Sequence, residues 1–155
     1  MSSGINIDED VYNKCSEQVL RHVYKWVSYK VSDDMTSIVV DQTAPAVKMD
    51  KSSDEQKYWD KFAMFSIGGD EPRFFTYDFH YFLNDGGKRE KMILLCWVPD
   101  TCKMKMKMIY STSKDAFKKA LKGISFTTEI QANDKGDLDF AEVRSRVARA
   151  DKEFM

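Results

Sequence analysis

From Arg73 to Leu83 the chain alternates strictly, with Phe75, Tyr77, Phe79, Tyr81 and Leu83 at every second position. That is the period at which strand side chains return to one face. Asn84-Asp85-Gly86-Gly87 follows, and such residues tolerate the positive φ of a tight hairpin turn. The return segment, 88–98, opens with the charged KREK and then becomes apolar at every position from Met92 to Val98. A strand that is apolar on both faces must be covered on both faces. The chain is therefore constrained to a sheet with a layer on each side, and the flanking segments must supply those layers.

They have the patterns to do so. Residues 8–22 place Val11, Cys15 and Val19 at helical spacing. Residues 23–31 and 37–42 are rich in β-branched and aromatic side chains and flank Asp33-Asp34, which predicts a second hairpin. Pro45 and small or polar neighbours make 43–52 a loop. Ser53 with Gln56 three positions on is a capping box for a helix that carries Tyr58, Trp59, Phe62 and Phe65 and ends at Gly68-Gly69. Pro99-Asp100-Thr101 opens a helix that runs to about Leu121, with Gly123 as its stop. Its first part, Lys103 to Met108, alternates Lys with Met, so period two also favours a strand there. Residues 124–132 form a short strand, and Asp137 caps a last helix in which Phe140, Val143 and Val147 share a face. The expected fold is α/β: one domain over 1–155 with a flexible N-terminus at 1–7, and a mixed sheet of about five strands with helices on both faces.

Composition narrows the function classes. With 24 basic and 25 acidic residues the net charge is −1, so no global field favours nucleic acid, and no nucleic-acid motif is present. Cys15, Cys96 and Cys102 are odd in number and lack metal-ligand spacing, which predicts reduced thiols in a reducing compartment. The opening MSSGINIDED is polar and acidic, unlike a signal or transit peptide. The Met92–Val98 run is too short to span a bilayer. A cytoplasmic protein is expected.

No nucleophile–base, paired-carboxylate or glycine-rich phosphate-loop constellation stands out, so the chain is not expected to be an enzyme or to need a cofactor. Cys102 lies near a helix start, which can lower a thiol pKa, but it has no partner base. His22 and His80 are distant in sequence and sit in no metal-ligand motif; each is read as structural or exposed, and no metal is expected. QANDKGDLDFAE, 131–142, has Gly136, Asp139 and Glu142 where a calcium loop would need them. However, Gln131 and Lys135 take ligand positions, and an ammonium inside a cation cage is electrostatically prohibitive. A turn and a helix cap are the better reading.

The densest unusual feature is KMKMKMIYSTSKDAFKKALKG, 103–123. On a helix, Lys105, Met108 and Thr112 fall within one face. Met is flexible and polarisable and adapts to partner surfaces. A face mixing cations with such groups suits a helix-in-groove contact. A solvated basic face with its methionines in the core is the competing reading, and phosphoinositide headgroups are a further candidate for the lysines.

KREKMILLCWVPDT followed by KMKMIYSTSKDAFKKALKG resembles the ADF/cofilin family. The segments match its central strand, its Trp-x-Pro-Asp/Glu turn and its long actin-binding helix. The resemblance extends to YDFHYFLNDGGKR, to the N-terminal MSSG and to the last helix, and is less close across 32–72. It implies an actin-binding protein, monomeric and non-enzymatic, that severs and depolymerises filaments. A non-severing module of the same fold, or a phosphoinositide-binding regulator with secondary actin contact, are the alternatives. It also implies two surfaces. Ser3, Gly4, Lys105, Lys107 and Met108 would contact monomers and filaments, with Ser3 as a phosphorylation site. Arg89, Lys91, Arg146 and Arg149 would contact filaments only. The glutamate that often precedes the first of the last-helix arginines is here Ser145, with Arg144 added. The basic run that many animal members carry after the first strand is replaced by KVSDDM.

Overall fold

The computed structural model describes residues 4–149 apart from Gly68. Six strands form one sheet in the order β1-β3-β2-β4-β5-β6. They are β1 (Asn6–Ile7), β2 (Tyr24–Val31), β3 (Ser37–Pro45), β4 (Arg73–Phe82), β5 (Lys88–Trp97) and β6 (Thr128–Ala132). The outer pairs β1–β3 and β5–β6 are parallel and the inner pairs antiparallel. The helices are α1 (Glu9–Arg21), α2 (Ser52–Lys61), α3 (Met104–Ala120) and α4 (Phe140–Val147).

The alternation in β4 does what its period requires. Phe75, Tyr77, Phe79 and Tyr81 enter a core with Trp59 and Phe62 of the α2 segment and Phe140, Val143 and Val147 of α4. Phe74 points the other way, stacked on Phe117 of α3 with ring centroids 4.6 Å apart, in a second core with Val11 and Cys15 of α1. β5 lies between β4 and β6 with residues Met92 to Trp97 buried, as its apolar run demands. At the turn, Gly86 takes φ 91° and its N–H reaches the Leu83 carbonyl at 2.9 Å.

Several boundaries differ from the sequence expectation. β1 is a sixth strand: Asn6 and Ile7, inside the segment expected to be flexible, pair with Ser37 and Ile38. α2 starts after Lys51 rather than at Ser53, because the Asp54 carboxylate accepts the backbone N–H groups of Asp50 and Lys51. Beyond Lys61 the helix widens into a π turn, Phe62–Ser66, closed by Ile67 N–H to the Phe62 carbonyl. The wider turn buries Ile67 and leaves Phe65 75% exposed, so Phe65 sits in the π turn and not in the α-helix expected to carry it. Of the expected Gly68-Gly69 stop, Gly68 lies outside the described residues. Pro99 to Cys102 form a separate turn, and α3 begins only after Lys103. The cap of α4 is Asp139, whose carboxylate accepts Glu142 N–H, and not Asp137, which accepts Asn133 N–H in the preceding turn.

Polar groups are buried on both sides of the sheet, Gln18 under α1 and the Lys25–Glu55 pair under α2. Gln18 of α1, wholly buried, donates to the carbonyls of Lys25 and Thr76 and accepts from the Thr76 hydroxyl at 2.6 Å. That leaves the Thr76 oxygen to accept from Tyr29, 2.7 Å away. Gln18, rather than the half-buried Val19, completes the inner face of α1. Lys25 and Glu55 form a buried ion pair at 2.7 Å, with Lys25 also donating to the Asp78 carbonyl at 2.5 Å. Burial pushes the Lys25 pKa down and the Glu55 pKa up, each opposed by the partner's charge.

One of the polar contacts that tie α3 to the sheet is buried. The Tyr110 hydroxyl accepts the Val31 N–H at 2.9 Å in a buried setting. Tyr110→Phe should orphan that N–H and cost about 1–3 kcal/mol, measured by urea unfolding. A loss of no more than a few tenths would mean the N–H finds another acceptor.

Candidate functional site

The α3 surface is built by helix geometry. Tyr110, Ser113 and Phe117 face the sheet, so residues on the far side must face solvent. Met104 and Met108 are 71% and 63% exposed. Lys105 and Thr112 are exposed, and Lys107 is half-buried. Among the described residues, neither Lys105 nor Lys107 has an acidic partner, whereas Lys114 and Lys118 are both paired with Glu129 of β6. The half-buried Met106 and Ile109 pack on the same core as Ile5 and Ile7, so the N-terminal strand runs beside α3. Gly4 is thereby brought towards this face, with φ 77°; Ser3 lies outside the described residues. Met104 belongs to the same exposed stripe and was missed by the sequence reading, although the KMKMKM repeat contained it.

The second set of cations is assembled by strand register. In the β4–β5 ladder Arg89 is paired with Tyr81, and Lys91 with Phe79. Directly paired residues share a face of the sheet, so both cations project to the α2/α4 side. α4 crosses that side at the start of β6: Arg146 donates to the Glu129 carbonyl at 2.8 Å, and Thr128 donates to the Arg146 carbonyl at 3.4 Å. Thr128 pairs with Ile93, two residues and roughly 7 Å along the strand from Lys91. Arg149 lines an open cleft with Arg146, Thr128 and Glu129. All four cations therefore lie at one end of the sheet, on the face opposite α3.

Other sequence candidates are absorbed by packing. Lys135 of the calcium-like loop donates to the carbonyls of Ala63 and Ile67 and lies 5.4 Å from the centre of the Trp97 ring. The three thiols are free and buried. Burial pushes Cys15 up to about 11 and Cys96 up to about 12, so both stay protonated and poorly nucleophilic at neutral pH. No helix among the described residues is long and apolar enough to cross a membrane.

The fold thus sets an exposed Lys/Met helix on one face of the sheet and a cationic cluster on the other. Residues 4–148 match the model of the cofilin/tropomyosin-type actin-binding protein family. The chain is 35% identical to a cofilin of Mycosarcoma maydis over 150 residues, covering 97% of this chain and 99% of that one. It is 33% identical to an actophorin of Entamoeba histolytica, again with 97% and 99% coverage. Its fold superposes on the crystal structure of Streptomyces griseoflavus cofilin with a TM-score of 0.77 at 27% identity, covering 94% of this chain and 98% of that one. The chain belongs to the ADF/cofilin family.

Proposed function

We propose that this chain binds actin monomers and filaments in the cytoplasm, and that it severs and depolymerises filaments. The observation that carries this reading is the placement of two unlike surfaces on opposite faces of one sheet. The α3 face would engage a subunit in either state. The Arg89, Lys91, Arg146 and Arg149 face would reach a second subunit, which exists only in a filament. If the pair of contacts fits a twisted lattice better than the relaxed one, the difference in affinity supplies the free energy that weakens the filament. Ser3 precedes Gly4 in the sequence. A phosphate there would add about two negative charges to an interface built around lysines.

The test removes the α3 cations. Lys105→Ala/Lys107→Ala should fold normally, since exposed charges contribute at most about 1 kcal/mol. It should lose about 1–3 kcal/mol of monomer affinity, roughly five- to 150-fold, read by fluorescence titration. Undiminished monomer binding would remove α3 from the interface. Time-resolved imaging of filaments separates severing from side-binding alone. Co-sedimentation with phosphoinositide vesicles, with and without actin, tests whether lipid competes for the same lysines.

A further inference from the structure

The end of α1, the second half of β4 and the start of β5 enclose a cleft of about 220 Å³, lined among others by His22, Lys25, Val47, Asp78, His80 and Glu90. His80 pairs directly with Glu90 in the β4–β5 ladder, and Asp78 lies two residues before His80, so all three point to one face. His22 joins them from the C-cap of α1, where its backbone is left-handed at φ 54°. The two histidines are 58 positions apart in sequence, and only the fold brings them to the same carboxylates.

His22, Asp78 and Glu90 have the spacing of a coordination shell, and His80 stands at its edge. His22 Nδ1 is 3.3 Å from Asp78 Oδ2 and 3.3 Å from Glu90 Oε2, and these three groups alone could hold an ion. His80 Nε2 is 3.4 Å from Asp78 Oδ2 and 3.9 Å from Glu90 Oε1. Ligands at about 2.0–2.1 Å from a tetrahedral zinc ion lie about 3.3 Å from one another. A second observation points the same way. His80 is only 6% exposed, yet neither of its ring nitrogens makes a well-aligned hydrogen bond, Nε2 having the Asp78 carboxylate at 3.4 Å. A buried imidazole left so is costly, and a metal bond to Nε2 would satisfy it.

We propose that His22, Asp78 and Glu90 form a binding site for a zinc-type divalent cation, with the His80 ring closing on the ion as the fourth ligand. Two imidazoles and two carboxylates suit zinc by donor type, and the carboxylates balance its charge. Lys25 does not compete, because its ammonium is held by Glu55. Lys88, 3.5 Å from Glu90 Oε1 and partly exposed, swings out to solvent as the ion enters. Bound metal would pin the end of α1 to the β4–β5 hairpin.

The test uses the whole chain stripped with chelator, titrated with zinc against a chromophoric competitor, with cobalt(II) as the spectroscopic probe. One equivalent should bind, cobalt should give the intense visible bands of a four-coordinate site, and saturating zinc should raise Tm. His22→Asn keeps a residue that tolerates the left-handed cap, and should weaken zinc at least tenfold and abolish the Tm rise. His80→Gln should do the same. The absence of stoichiometric binding would overturn the site. So would binding that is undiminished in His22→Asn, because the metal would then sit on other groups.

Discussion

Glu55→Ala is expected to destabilise the fold by about 3–5 kcal/mol, the largest effect of any single polar substitution considered. Glu55 is wholly buried on α2 and Lys25 is 1% exposed on β2. Their 2.7 Å contact closes α2 onto the sheet. Removing the carboxylate leaves an ammonium with the Asp78 carbonyl at 2.5 Å and the faces of Tyr77 and Tyr58 at 4.9 and 5.7 Å. Those groups offset part of the desolvation cost but do not neutralise the charge. The double variant Lys25→Met/Glu55→Leu should recover most of the loss, because a packed apolar pair carries no buried charge. Urea unfolding of both variants decides the matter. A Glu55→Ala loss below about 1 kcal/mol would mean that Lys25 is readily neutral or reaches water. A double variant as unstable as the single one would mean that shape, not charge, sets the cost.

Removing the α4-side cations should separate filament from monomer binding. For Arg89→Ala/Lys91→Ala and Arg146→Ala/Arg149→Ala, filament affinity should fall by about 2–5 kcal/mol wherever the charge is desolvated in the contact, and by less at a rim. Monomer affinity should stay within experimental error, since α3 lies across the sheet and is untouched. Arg146 also donates to the Glu129 carbonyl, so its variant should lose about 0.5–1.5 kcal/mol of stability as well. Thermal unfolding, run beside co-sedimentation and monomer titration, separates that loss from the binding effect. Equal losses in both binding assays would mean one shared surface and would end the two-surface reading. No loss in either would place the filament contact elsewhere on the chain.

Periodicity was the legible part of this protein. Alternation in β4, the unbroken apolar run of β5 and the capped helical stretches each depend on neighbours within a few residues, and those dictate which face of an element is apolar. The Lys/Met face of α3 was legible for the same reason, because residues four apart on a helix always share a side. The start of α3 was not, since period two and helical continuation competed until the turn at Pro99–Cys102 separated them. The end of α2 was not legible either, because a π turn at Phe62–Ser66 changes the period without leaving a mark in composition.

What tertiary structure alone decided is every relation between distant segments. Strand register put Arg89 and Lys91 on the α4 face, and the parallel β5–β6 pairing brought Arg146 and Arg149 to the same end of the sheet. Burial turned Gln18, Lys25 and Glu55, polar residues that sequence would leave in water, into partners inside the molecule. The same folding gathered two unremarkable histidines around Asp78 and Glu90. The physical reason is common to all of these. Local pattern reflects how one element meets water, whereas a site is made where elements meet each other, and which residues meet is set by register and packing across the whole sheet.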